Sequence, residues 1–338
     1  MSNQTVDVAV VGAGLSGLSC AQALQDAGLS VLVLDKGRGV GGRMATRRIE
    51  HARQNALFDH GAQFFTARSP EFQAEVARWS ARGLAGPWFH GQSTLHQDGS
   101  VEAKGDGHPR LCCPRGMASI AKYLAQSLDV RTGARITRLQ HQDGVWSLRA
   151  AEEEAVRARA LVLTPPVPQS LELLETSGIA VPPEARASLE AMRYERCIAL
   201  MLWLSEPLQL PGEGALYART ERLSWLADNT RKGLSEVPAL TLHGSPGWSE
   251  RNWEASDEVV TQELSQAARP FWSGEIVASS VARWKFSKPI APREDGCQAW
   301  PAQSLVFAGD AFGGAKIEGA WTSGRSAAQA VLGFSKPV

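Results

Sequence analysis

A glycine triplet near the start of the chain constrains its fold more than any other feature. Gly12-x-Gly14-x-x-Gly17 follows the apolar run Val6–Val11 and opens a helical stretch from about Leu15 to Ala27. Glycines at this spacing allow a tight turn, close approach of backbone to a pyrophosphate, and close helix–strand packing. The helix N-terminus beyond them offers unpaired N–H groups and a positive dipole to phosphate charge. A second apolar run, Val31–Leu34, ends at Asp35, where a carboxylate would bind a ribose diol. Strand, glycine turn, helix, strand and acid predict a βαβ unit, a parallel sheet, and a dinucleotide site at Gly12, Gly14, Gly17 and Asp35. Lys36 and Arg38 keep a rival open, since they suit the 2′-phosphate of NADP.

The residues that follow decide between cofactors. Gly37-Arg38-Gly39-Val40-Gly41-Gly42-Arg43-Met44 is a second glycine-rich, basic loop directly after the ribose acid. A nicotinamide dehydrogenase has no use for it, whereas extended FAD runs on past the first loop. Far downstream, Phe307-Ala308-Gly309-Asp310 ends a buried strand and Glu318-Gly319-Ala320-Trp321-Thr322-Ser323-Gly324-Arg325 opens a helix. That arrangement suits a ribityl hydroxyl held by Asp310 and a flavin edge over a helix dipole.

The remaining pattern is mixed. Ser69-Pro70-Glu71 is an N-cap signal before Phe72, Val76 and Trp79 on one helix face, and Gly116 to Leu128 reads as a further amphipathic helix. Val130 to Ala150 is strand-like with a hairpin turn at Asp143-Gly144, and Arg159–Thr164 is a buried strand. Strands at Ile198–Leu204, Leu240–His243 and Ile276–Phe286 surround a helix from about Ser256 to Ala268. Ser304–Ala308 is a core strand and Glu318–Leu332 a helix. No repeat, low-complexity tract or clean linker divides the chain, so two interwoven domains are expected.

Composition narrows the function. Lys plus Arg and Asp plus Glu both number 35 in 338 residues, and with no basic excess or stripe a nucleic-acid partner is not expected. No run approaches the roughly 20 apolar residues of a membrane helix, and the polar start carries no secretory-signal pattern, so a cytoplasmic protein is expected. Five cysteines without a CxxC pair argue against disulfides and zinc, and no metal site is expected. Cys112-Cys113 reads as a pair of partly buried thiols in a loop, with a redox vicinal disulfide as the alternative. Tryptophan is abundant, 11 against 3 Tyr.

At this point the residues carry a resemblance. The GAGLSG turn, the DKGRGVGGRM stretch and the FAGD…EGAWTSGRSAA segment resemble the FAD-dependent amine oxidase superfamily. Asp59 to Arg68 (DHGAQFFTAR), Pro114-Arg115-Gly116-Met117, Leu242-His243-Gly244-Ser245 and Ala282-Arg283-Trp284 resemble its bacterial renalase branch. The likeness spans essentially the whole chain. It implies a mixed α/β fold: a Rossmann-like FAD-binding domain of GR2 type, interleaved with an α+β substrate domain built on an antiparallel sheet. The expected division is 1–70, 110–165 and 297–338 for FAD, with 71–109 and 166–296 for substrate. It implies non-covalent FAD at Gly12, Gly14, Leu15, Ser16, Gly17, Asp35, Lys36, Gly42, Arg43, Met44, Gly61, Ala62, Gln63, Phe64, Ile136, Gly309, Asp310, Glu318, Gly319 and Ala320.

Renalase-like enzymes pass hydride from aberrant dihydronicotinamide isomers to flavin and then to oxygen, so a small-molecule substrate, O2 and H2O2 are expected here. A dihydropyridine that loses hydride becomes an aromatic pyridinium and needs no protein base; the flavin carries the chemistry. Amine oxidases instead frame substrate with tyrosines and keep a lysine near flavin N5. The candidates for catalytic roles are therefore His243, Trp321 (where an aromatic cage would stand) and Lys285. Arg231-Lys232 reads as an exposed loop, with a substrate phosphate as the alternative. Two other functions stay open: an amine oxidase or related C–N/C–C dehydrogenase, and a non-catalytic flavin-binding redox sensor.

Overall fold

The computed structural model describes residues 5–150 and 156–334, which form two compact units. The first holds the described residues up to Gly42, then Ala121–Arg193 and those from Pro289 on. Its sheet runs Gln298–Trp300, Leu305–Phe307, Val156–Leu163, Val6–Val11, Val31–Asp35, Asp129–Thr132, parallel apart from the first strand. The central strands read as near-continuous Val, Leu and Ala because both of their faces are covered. Val11 lies level with Leu34 and Leu163, and Leu163 with Phe307. Gly12, Asp35, Thr164 and Gly309 are thereby gathered at one carboxyl edge of the sheet, where open α/β sheets bind ligands. A hairpin, Ile136–Gln142 and Val145–Ala150, extends this sheet, turning through Asp143 (φ 54°) and Gly144 (φ 72°). This is the left-handed pair an Asp-Gly hairpin demands. The expected FAD contact Ile136 starts its first strand, half-buried, opposite Ala150.

Close helix crossing holds this unit together. Helix Leu15–Asp26 packs on helix Ile317–Phe334 at Gly324, where a Cβ would lie 2.1 Å from the Ser16 carbonyl oxygen. Ser19 Oγ donates to the Trp321 carbonyl across the same crossing. A short helix, Asp310–Gly313, stands between the last parallel strand and that long helix.

The second unit holds Arg43–Ile120 and Tyr194–Lys288. A seven-stranded sheet runs Ile276–Pro289, Tyr194–Leu204, Ala239–Gly244, Leu223–Asp228, Ala215–Arg219, Gly86–His96, Val101–Cys112. The pair Ala215–Arg219 with Gly86–His96 is parallel. A separate hairpin is formed by Thr46–His51 and Gln54–Asp59.

The pleat sorts the sheet's side chains. Leu200, Leu242, Leu226 and Leu216 lie in one cross-strand row, with Leu202 and Leu240 two residues on. With Trp248, Val260 and Leu264 they form an apolar cluster roofed by helices Pro246–Arg251 and Asp257–Ala267. The opposite face carries the intervening row Ala199, His243, Trp225, Tyr217, and beside it Met201, Thr241, Ala227, Ala215. Strand Gln54–Asp59 covers part of that face through Ala56 and Phe58, packed on Met201, Trp203 and Ala239.

The division of the chain departs from the expected one. Residues 43–70 and 110–120 belong to the second unit, because the hairpin packs on its sheet. Residues 166–193 and 289–296 belong to the first. There helix Val167–Thr176 packs beside strand Ile136–Gln142, with the Leu139 N–H donating to Ser177 Oγ. The Gly116 to Leu128 helix is shorter than its apolar spacing, Ala118–Ala125.

Candidate active site

In the first unit the two glycine loops are tied to one carboxylate. Asp35 Oδ2 accepts from the Ala13 N–H and Oδ1 from the Gly37 N–H, both at 2.6 Å. The Gly41 N–H donates to the Ala13 carbonyl at 2.8 Å. Gly12 sits at φ +105° with Thr164 Oγ1 2.3 Å from where its Cβ would be, and a Cβ on Gly17 would lie 1.9 Å from the Gly12 carbonyl oxygen. Gly14, by contrast, faces open space, with nothing within 4 Å of a Cβ position. It is the N-cap of helix Leu15–Asp26, whose first turn has no side-chain cap and no acid. Ser16 Oγ in that turn is buried and without a partner. An uncapped helix start, a bare glycine and an unpaired hydroxyl fit an anionic diphosphate.

The neighbouring candidates are placed variously. Lys36 is exposed and donates to Gln169 Oε1 at 3.2 Å; burial of its stem and the nearby Arg135 hold its ammonium below the usual range. Gly309, at φ +135°, donates its N–H to the buried Ser323 hydroxyl at 2.8 Å. Asp310 and Ala320 are half-buried, as are Glu318 and Trp321 on helix Ile317–Phe334, while Gly319 is buried. The Trp321 ring has the Arg325 guanidinium 5.8 Å from its centroid. Gly42 is exposed at φ +53°.

In the second unit the segment Asp59 to Phe64 is built around a fully buried ion pair. Lys232 Nζ lies 2.7 Å from Asp59 Oδ2, with both side chains at 0% exposure. The same ammonium donates to the Gln63 carbonyl at 2.6 Å and sits 4.8 Å from the Trp88 ring centroid. Asp59 Oδ1 accepts from Thr46 Oγ1 (2.6 Å) and the Met117 N–H (2.9 Å), so the Pro114–Met117 segment is anchored to this carboxylate. Gly116 must be glycine here, at φ +88° with Thr46 Oγ1 2.4 Å from a Cβ position. Gly61 is equally constrained, its Cβ position lying 2.0 Å from the Arg43 carbonyl oxygen. Met44 is buried, and Arg43 donates to the Phe286 and Ser287 carbonyls. Lys232 is thus no exposed loop residue and no phosphate ligand. Arg231 likewise braces its own loop, donating to the Leu210 and Gly212 carbonyls.

Gln63 is held from both ends. Its Nε2 donates to the Asp59 carbonyl (2.7 Å) and the Gly61 carbonyl (3.1 Å), and lies 3.4 Å from His243 Nε2. His60 stacks on Trp284 at 5.1 Å between centroids, and Trp284 Nε1 donates to the His60 carbonyl at 2.8 Å. Burial pushes the His60 imidazolium down to about 4, with Arg47 and His243 adding to it. Burial likewise takes His243 to about 4, against the opposing pull of the His60 carbonyl and helped by Lys232. Both rings are therefore neutral near pH 7.

Beside them Phe64 rests on Trp225 (5.4 Å) and meets Tyr217 (6.0 Å) and Phe89 (5.3 Å) edge-on. The structure thus brings His243, Gln63 and Phe64 together, and adds Trp225, Tyr217 and Thr241, which sequence reasoning missed, and Lys232, which it read as an exposed loop. Thr241 donates from Oγ1 to the Asp59 carbonyl at 3.0 Å. The signal for Thr241 was the alternation Thr241-Leu242-His243, polar against apolar. Lys285 is not in this cluster: it is exposed, with Nζ 5.5 Å from the ring of its neighbour Phe286. Trp284, one residue before it, is the side chain that reaches the Gly61 loop. Trp248, in a segment expected in the substrate half, lies in the leucine core on the other face of the sheet.

Comparison with known proteins matches this architecture. A model described as flavin containing amine oxidoreductase matches residues 74–332, and one described as NAD(P)-binding Rossmann-like domain matches residues 10–79. The chain belongs to the flavin containing amine oxidoreductase family, and it is a FAD-dependent oxidoreductase. It is similar to the renalase of Mus musculus, 25% identical, with 94% of this chain and 96% of that protein covered. Among solved structures, a putrescine oxidase bound to putrescine superposes with a TM-score of 0.71 at 16% identity, covering 98% of this chain and 99% of that one. Cyclohexylamine oxidase from Brevibacterium oxydans IH-35A gives 0.71 at 15% identity over the same shares. These two show likeness of fold. Among the described residues no helix is long and apolar enough to cross a membrane, and no group of metal-ligating side chains is found.

Proposed function

We propose that this protein is a FAD-dependent oxidase that takes hydride from a small reduced nicotinamide-type molecule, a dihydro-NAD(P) isomer. O2 plus a proton then receives the electron pair, giving H2O2 and a pyridinium product. The observation that carries this reading is the electrostatic character of the Gln63–His243 cluster. Its carboxylate, Asp59, is taken up by Lys232, and its two imidazoles stay neutral near pH 7. A protonated amine finds no available anion in it. A neutral, planar dihydropyridine finds aromatic rings and neutral polar groups, and its oxidation asks for no base. The similarity to mouse renalase along nearly the whole chain supports the same substrate class.

Bound FAD supplies the electron acceptor for such a hydride. The uncapped helix start at Gly14, Leu15 and Ser16 would hold its diphosphate. Asp35 would hold a ribose, with Lys36, Gly42, Arg43, Met44 and Ile136 as further contacts. Asp310, Glu318, Gly319 and Ala320 would hold the ribityl–flavin end, and the Gly61–Phe64 loop would lie beside the flavin ring. Amine oxidation is the second reading, favoured by the family's description and by the two amine oxidases of like fold. The protein is read as cytoplasmic, with Cys20, Cys112, Cys113 and Cys197 as buried free thiols. The test is aerobic turnover with peroxide detection. Equimolar H2O2 from a dihydronicotinamide isomer, at a rate well above that with ordinary NADH, is expected. Isomers turned over no faster than NADH, with rapid turnover of an amine, would instead establish the second reading.

A further inference from the structure

Three buried polar atoms in and beside the Gln63 cluster have no hydrogen-bond partner: Gln63 Oε1, Trp225 Nε1 and His60 Nδ1. An unmet buried donor or acceptor costs about 1–3 kcal/mol, so each of them asks for a cause. The Gln63 amide cannot turn to relieve its oxygen. Its nitrogen is committed to the Asp59 and Gly61 carbonyls, and Lys232 fixes its main chain from the other side. Oε1 is thus held as an acceptor with nothing to accept. Trp225 Nε1 is a donor with nothing to donate to. The two residues are linked closely: Phe64, next to Gln63, lies on the Trp225 ring, and His243, next to Gln63 Nε2, is the cross-strand partner of Trp225.

Resting on the substrate reading above, we infer that Gln63 and Trp225 are the specificity-determining residues of the substrate site and that they read a carboxamide. The Gln63 oxygen accepts from the carboxamide NH2, and the Trp225 indole N–H donates to its carbonyl. The planar, uncharged ring that bears the group lies against Phe64 and Tyr217. A carboxamide is the small group that offers a donor and an acceptor from one rigid plane, matching one orphan of each kind. Because Phe64 covers Trp225 in the free protein, binding requires a swing of the half-buried Phe64 ring. Amine substrates carry no such group, so the pair also discriminates against them.

The test uses the flavin-loaded protein and two near-isosteric probes, benzamide and acetophenone, in which NH2 is replaced by CH3. Binding is read from perturbation of the flavin visible spectrum and, independently, from tryptophan fluorescence. Wild type is expected to bind benzamide about tenfold more tightly than acetophenone. In Gln63→Met that preference falls to about one, and retained acetophenone binding shows that the variant is folded. Equal affinity of the two probes in the wild type overturns the inference without recourse to any variant. A preference that survives Gln63→Met removes Gln63 from it. Turnover of dihydronicotinamide isomers is measured separately, so the substrate reading and the carboxamide assignment fail independently.

Discussion

At the scale of single residues, the buried Lys232–Asp59 pair dominates. Lys232 has a loop-like sequence context, Thr230-Arg231-Lys232-Gly233, and nothing local marks it as buried. Its environment is made by Asp59, 173 residues away, and by the Gln63 carbonyl. Removing one member of such a pair strands the other charge away from water. Lys232→Met is therefore expected to lower unfolding stability by about 3–5 kcal/mol, read by denaturant titration, with loss of bound FAD. A loss below about 1 kcal/mol would mean the pair contributes little. The histidines give a pH dependence with a definite sign. Each imidazole has its folded pKa depressed from 6.5 to about 4, so between those values the unfolded chain binds more protons than the native one. Stability is full above about pH 6.5 and is lost as pH falls toward 4, by up to roughly 3 kcal/mol per ring. His60→Phe would flatten part of that slope in a pH series of urea midpoints, whereas an unchanged slope would contradict the assignment.

At the scale of elements, the opening βαβ unit was legible almost residue by residue. Strand Val6–Val11, the glycine turn and the strand ending at Asp35 are local patterns that the structure repeats. Ser69 as N-cap before Pro70 was equally local, its side chain accepting from the Phe72 N–H. What could not be read was which face of Tyr194–Leu204 matters, because Ile198-Ala199-Leu200-Met201-Leu202 is apolar on both faces and shows no alternation. The aromatic wall was missed for a related reason: Trp88, Phe89, Tyr217 and Trp225 come from three strands, and only pairing registers bring them together. Trp321, singled out for the aromatic position, lies on helix Ile317–Phe334 with the Arg325 guanidinium 5.8 Å from its ring centroid. The hairpin Thr46–Asp59 was unread because its tip lacks a turn signature, holding Ala52 (φ 46°) and Arg53 (φ 67°) in left-handed conformations. Installing an Asn-Gly tip through Ala52→Asn combined with Arg53→Gly is expected to raise stability by roughly 1 kcal/mol in urea unfolding. No gain would show that the tip is not strained. At the helix crossing, Gly324→Ala drives a Cβ against the Ser16 carbonyl oxygen. FAD affinity, read by dialysis of the holoprotein, is expected to fall at least tenfold, since Ser16 lies in the helix turn assigned to the diphosphate.

At the scale of the whole molecule, zero net charge gave no sign of a nucleic-acid partner and did not locate the charges that matter. Asp35 ties two glycine loops together in one unit, and Lys232 with Asp59 builds the Gln63 loop in the other. The chain passes between the units four times, at residues 42/43, 120/121, 193/194 and 288/289, so no contiguous stretch of sequence shows a domain edge. This is why the compact units do not follow the expected boundaries. The central claim concerns which donor reduces the flavin. Purified holoprotein, mixed anaerobically with dihydronicotinamide isomers, with NADH and with a panel of primary amines, gives the answer in the bleaching rate of the visible flavin band. At least one dihydronicotinamide isomer is expected to bleach it far faster than NADH or any amine. Bleaching by an amine, with every isomer no faster than NADH, would contradict the account.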